Sequence, residues 1–215
     1  TFFMSMINGF FYLAGFVALQ YNIQKNGLVY SSMFMKLGIM IPILLSFFVY
    51  REIPTLFQII GLILALSMII FMNYTDQSIP FLPGLILLLV LGGSGDAMSK
   101  VFQMTGQMSN SAFFLFYTFF FAFVLCFLFM KYKKQTIGKE EMIYGLCIGI
   151  PNYFSAKFLL FALTEFPSII VYPTYSILTI CILGLAGIVF FKEKVEKRTL
   201  IAMIFMLVAI GFLNM

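Results

Sequence analysis

Residues 31–50, SSMFMKLGIMIPILLSFFVY, pass through a two-residue charged step, Arg51-Glu52, into residues 53–74, IPTLFQIIGLILALSMIIFMNY. The pattern reads as two apolar helices joined by a tight polar step. The chain closes on the same phrase: residues 172–191, YPTYSILTICILGLAGIVFF, the step Lys192-Glu193, then residues 194–215, KVEKRTLIAMIFMLVAIGFLNM. An offset of 141 brings Glu52 onto Glu193, Arg51 onto Lys192 and Asn73 onto Asn214, and 11 of the 44 aligned positions are identical without a gap. Leu and Ile matches weigh little in so apolar a chain. The basic–Glu step, the Asn and the shared helix lengths carry the repeat.

The surrounding composition fixes the solvent. The chain is 62% hydrophobic and 10% charged, with a mean hydropathy of +1.06. Soluble domains carry roughly a quarter charged residues, so this is an integral membrane protein. Runs of about 20 apolar residues recur, each able to cross a hydrocarbon core of about 30 Å as a helix. The alternation of a membrane β-barrel is absent, so the fold class is all-α, a polytopic bundle. The net charge of +5 sits mostly in two short loops and reads as topology rather than nucleic-acid binding. Cys126, Cys147 and Cys181 lie in predicted spans without ligand spacing, and histidine is absent. Neither a metal nor another cofactor is expected.

Spans are predicted at about 1–22, 28–50, 54–74, 82–102, 110–131, 142–164, 168–191 and 197–214, with Gly27, Gly138 and Pro167 at turns. The repeat extends backwards, since FVALQY at 16–21 resembles LFALTE at 160–165 and Asn8 then falls on Asn152. The second copy, 79–215, has two helices before Asn152 that the first, 1–78, does not show. The expectation is therefore eight transmembrane helices of ten. Two five-helix repeats in sequence point opposite ways across the membrane, which is the inverted-repeat architecture of secondary transporters.

With that pattern in place, the chain resembles the EamA family of the drug/metabolite transporter superfamily. Its members have ten helices in two repeats, each closing with a helix, a short step containing Glu and a Gly-containing final helix. The matching residues are Glu52 with Gly61 and Glu193 with Ala202, where a second Gly belongs; Pro173 also suits the pattern, opposite Ser32 in the first copy. The resemblance implies a permease for small organic metabolites, with no enzymatic activity. It also implies that the third, fourth, eighth and ninth helices line the pathway, here spans 1–22, 28–50, 142–164 and 168–191.

Polar residues inside spans are the site candidates, because a charge at mid-bilayer costs about 2.5–3.5 kcal/mol on insertion scales and needs a partner or a wet cavity. Lys157 is read as facing a cavity, with a buried pair to Asp96 as the alternative. Lys36 sits within its span and either snorkels or faces substrate. Lys100 is read as snorkelling, or as neutralised by Asp96 four residues earlier. Asp96 is the candidate for proton coupling. Asn8, Asn152, Tyr12 and Tyr153 form a polar set at matched positions, and Tyr175 follows Pro173. The substrate-binding candidates are thus Lys157, Asn152, Lys36, Asn8, Tyr153 and Tyr175. Glu52 and Glu193 read as turn residues that mark the repeat, since an acid at a helix N-terminus is favoured by the dipole.

The lysines tilt the expected solute towards an anion or carboxylate; a multidrug exporter is the alternative. Gly93-Ser94-Gly95-Asp96 matches the GxGD string of intramembrane aspartyl proteases, but the other aspartate, Asp76, lies in a turn. Expected partners are a small-molecule substrate and the lipid bilayer, not nucleic acid, with the protein as monomer or homodimer in a bacterial inner membrane. Positive-inside counting places loops 131–139 and 192–198 in the cytoplasm and the C-terminus outside, whereas the family resemblance implies both termini inside.

Overall fold

The computed structural model describes residues 1–73, 81–134, 138–192 and 197–215. Among these residues the protein is helical throughout, with no strand. In chain order the helices are α1 (Phe2–Leu37), α2 (Met40–Phe48), α3 (Leu56–Asn73), α4 (Leu82–Thr105), α5 (Ser111–Tyr132), α6 (Lys139–Glu165), α7 (Ser168–Phe191) and α8 (Lys197–Leu213). Among the described residues six runs are long and apolar enough to cross a membrane, the first of them taking in both α1 and α2, Phe2–Phe48. The protein is an integral membrane helical bundle.

A straight helix of 36 residues would be about 54 Å long, well beyond the hydrocarbon core. It does not run straight. Gly27 has φ 79° and ψ 168°, non-helical inside α1, and contacts with α4 reveal the consequence. Before Gly27 the register on α4 runs backwards: Asn22 meets Gly84, Gly15 meets Gly92, and Asn8 approaches Gly95. After it the register runs forwards, from Gly38 against Gly93 to Glu52 against Lys100. The two legs of α1 therefore form an antiparallel hairpin folded at Gly27, with α4 against both.

Residues 23–26, expected in a loop, are helical instead. Asn22 and Asn26 turn their side chains onto the start of α4, while Gln24 and Lys25 between them stay exposed. The Asn22 amide donates to the carbonyls of Ala18 (2.8 Å) and Gly84 (2.9 Å). Asn26 donates to Asn22 Oδ1 and to the Phe81 carbonyl, and accepts the Phe81 N–H at 2.7 Å. The hairpin tip thereby satisfies the Phe81 N–H, a donor that the start of α4 leaves open, and adds second bonds to the Phe81 and Gly84 carbonyls. Tyr30 is buried just past the tip with Ala65 and Leu85.

No atom lies within 4 Å of a Cβ built on Gly27, so only its backbone demands glycine. Gly27→Ala is expected to destabilise the protein by about 1–3 kcal/mol, the usual cost of holding a side-chain-bearing residue in such a conformation. Thermal unfolding of the purified protein in detergent reads this out; an unchanged midpoint contradicts it.

The predicted span 28–50 is broken at Gly38-Ile39. Pro42 has no N–H to return to the Gly38 carbonyl, and the Ile41 N–H takes that carbonyl at 3.0 Å instead. At the break the Gly38 carbonyl lies directly against Gly93 of α4, an approach only two glycines permit. This discontinuity follows Lys36 by two residues.

Burial of apolar surface does not hold helices together in lipid, so close packing of small residues must. Gly61 of α3 supplies it against the Ala209 carbonyl and Leu213 of α8, while Arg198 at the other end of α8 donates to the Phe71 carbonyl. The pair is antiparallel. Three features recur at the offset of 141. Arg51 and Lys192 both adopt left-handed backbone, φ 56° and 52°. Asn73 and Asn214 both donate to the carbonyl four residues back at 2.8 Å. Gly61 and Ala202 are both buried. Glu193 lies outside the described residues, as does Asp76.

The helix directions sort the charges. Lys25, Lys131, Lys133, Lys134, Lys139, Lys192, Lys197 and Arg198 lie towards the end of the bundle that holds the Gly27 tip. The opposite end holds Arg51, Glu165 and a buried ion pair described next.

Candidate functional site

Lys100 is 1% exposed, far from the snorkelling expected of it. Its Nζ lies 2.5 Å from Glu52 Oε1 and donates to Gln103 Oε1 at 2.7 Å. Its ion-pair partner is Glu52, not Asp96. Glu52 in turn accepts the Ser168 N–H at 3.0 Å, the first residue of α7, where the helix dipole favours a carboxylate. Ser168 is fully buried and pairs with the Ser46 hydroxyl at 2.9 Å. Glu52 is thus more than a turn residue. It caps a helix 116 residues away and neutralises a lysine on a third element.

Beneath this clamp lies a cavity of about 300 Å³ between both legs of α1, α4, α6 and α7. The first leg contributes Tyr12 and Gly15; the second contributes Ser32 and Lys36. From α4 come Gly92, Gly95 and Asp96; from α6, Asn152 and Ser155; from α7, Tyr175, Ser176 and Thr179. Pro151 and Pro173 fall inside α6 and α7 beside these positions. Each removes a backbone donor, so the carbonyls of Cys147 and Ile169 lose their helical partner. Tyr175 and Ser155 bring their hydroxyls to 2.8 Å across the α6–α7 seam.

The cavity's charged groups are not spent on each other. Among the described residues neither the Lys36 ammonium nor the Asp96 carboxylate makes an ion pair or hydrogen bond, and the Asn152 amide has no partner. The bond recorded at Asp96 is to its backbone carbonyl, which accepts from Tyr172 Oη at 2.8 Å. All three are half-buried, with their polar ends left open to the cavity rather than shut away in the packing. These groups complete their shells with whatever fills the cavity.

Three predicted site residues stand elsewhere. Lys157 is exposed on the outside of α6 and does not line the cavity. Five residues of helix turn it about 140° from Asn152, whereas Ser155, Ala156 and Leu159 stay on the Asn152 face. It lies eight residues, about 12 Å, from the end of α6, within range of a snorkelling ammonium and thinned headgroups. Asn8 is buried at 1% and donates to Thr118 Oγ1 at 3.4 Å, joining α1 to α5. Tyr153 packs on Phe119 and Phe154. Asn152, Lys36, Tyr175 and Asp96 do line the cavity. Ser32, Ser155 and Thr179 join them unforeseen; spacing by three or four from Lys36, Asn152 and Tyr175 was the available signal.

The glycines of the GxGD string are used in packing. Gly93 meets Gly38 and Ile41, and Gly95 meets Tyr12. A larger surface hollow of about 590 Å³ lies between α3 and α8. Its cation, Arg198, is already turned onto the carbonyl and ring of Phe71.

No family model matches the chain. A Haemophilus influenzae protein described only as uncharacterized is similar to it, at 26% identity over 202 residues, covering 91% of this chain and 69% of that protein.

Proposed function

We propose that the protein is a secondary-active permease for small organic metabolites in a bacterial inner membrane, of the EamA type, working by alternating access between two inverted repeats. The single observation carrying this reading is the cavity whose ammonium, carboxylate and amide have no protein partner among the described residues. A purely structural bundle would pair such groups or dispense with them. The volume stands at the small end of the roughly 300–1,000 Å³ of small-molecule sites, which suits a metabolite.

The repeat reading draws support from the left-handed backbone at Arg51 and Lys192 and from the matched Asn73 and Asn214 bonds. In this reading α1, folded at Gly27 and continued by α2, counts as two crossings, which gives eight among the described residues: three in repeat 1–78 and five in repeat 79–215. The positive-inside tendency favours a cytoplasmic lysine-rich end and an external C-terminus, against the family expectation of both termini inside. Asp96 is the candidate for proton coupling because it is the cavity's acid. An exporter of cationic toxic compounds is the second reading, favoured by the same carboxylate.

Reconstitution into proteoliposomes tests the proposal. Counterflow of labelled metabolites is expected for at least one solute class and absent from protein-free vesicles. No counterflow for amino acids, organic acids, amines or sugar derivatives contradicts it.

A further inference from the structure

We propose that the cavity binds a small zwitterion, a solute bearing one ammonium and one carboxylate on a short apolar body. The inference rests on the transport reading above and narrows its substrate. It starts from two charges of opposite sign, Lys36 on the second leg of α1 and Asp96 on α4, which line one cavity without pairing. The Gly38 carbonyl abuts Gly93, so the two helix backbones already touch between these residues, and the unpaired charges sit on either side of that contact.

A solute with a single charge satisfies one of these groups and leaves the other uncompensated in a weakly solvated site, which is the costly arrangement. A zwitterion satisfies both. Its carboxylate faces the Lys36 ammonium and its ammonium faces Asp96. The Asn152 amide, with two donors and an acceptor, serves either end. Met35, Ile39 and Leu159 supply the apolar wall for the rest of the molecule. Of the two lysines that favoured an anion, only Lys36 reaches the cavity, and Asp96 opposes a lone anion there.

The test measures binding and transport separately on the purified full-length protein. Alanine, valine and leucine are titrated by thermal shift, each beside its decarboxylated amine and its deaminated acid. At least one amino acid is expected to bind at least tenfold more tightly than both of its singly charged analogues, a comparison that needs no variant. Lys36→Met is expected to weaken that amino acid and the acid by tenfold or more while sparing the amine; Asp96→Asn is expected to spare the acid instead. Equal binding of amino acid and acid with Asp96→Asn silent, the mirror result with Lys36→Met silent, or no binding by any amino acid overturns the zwitterion assignment. Counterflow of a singly charged solute alongside those results leaves the transport reading standing. No counterflow of any solute overturns the transport reading itself.

Discussion

Replacing Glu52 by glutamine is expected to destabilise the protein by about 3–5 kcal/mol, the cost of stripping a buried charge of its partner. Lys100 is 1% exposed and held between Glu52 and Gln103, so after the substitution its ammonium keeps one neutral acceptor and no counter-charge. Glutamine still accepts the Ser168 N–H, and the helix cap survives in weakened form. Lys100→Met is milder. The Glu52 side chain is 22% exposed and stays favoured at the α7 N-terminus. Combining Glu52→Gln with Lys100→Met is expected to recover most of the loss, since a pair removed whole costs far less than a pair halved. Unfolding midpoints in detergent should fall by roughly 10 °C for the single Glu52 variant, given about 2–4 °C per kcal/mol for a chain of this size. Additive losses in the double variant contradict a coupled pair.

The second large effect separates two adjacent glycines. A Cβ on Gly93 meets the Gly38 carbonyl and the Ile41 side chain closer than real Cβ atoms come, and the first obstacle is backbone. Gly93→Ala is expected to cost about 3 kcal/mol, the upper part of the overpacking range, by prising α4 from the hairpin. A Cβ on Gly92 meets nothing within 4 Å. Gly92→Ala is expected to gain up to about 1 kcal/mol, because alanine is the better helix residue. Folded yield and midpoint read both, and a Gly93 variant as stable as the Gly92 variant contradicts the backbone contact.

These effects mark how far the sequence is legible. The turn at Gly27 was readable because its flanks are apolar runs of spanning length, and the α3 and α8 phrases were readable because they recur. The cavity was partly readable: an unneutralised lysine, aspartate or asparagine in a span has few uses, and Lys36, Asp96, Asn152 and Tyr175 are on its walls. Lys157 failed on helical angle, since five residues after Asn152 lies on another face. Glu52 failed for a different reason. Its partners, Lys100 and Ser168, are 48 and 116 residues away, on elements whose adjacency no local periodicity encodes. Asn26 looked like a loop residue because its backbone partner, Phe81, lies 55 residues away at the entry to α4.

The alternating access proposed above requires this cavity to open in turn to each side of the membrane. Single cysteines in place of Ser155 and Thr179, in a background lacking Cys126, Cys147 and Cys181, test it with a membrane-impermeant maleimide on oriented vesicles. Labelling from both faces, with a transported solute slowing both, is the expected result. Labelling confined to one face under every condition contradicts alternating access.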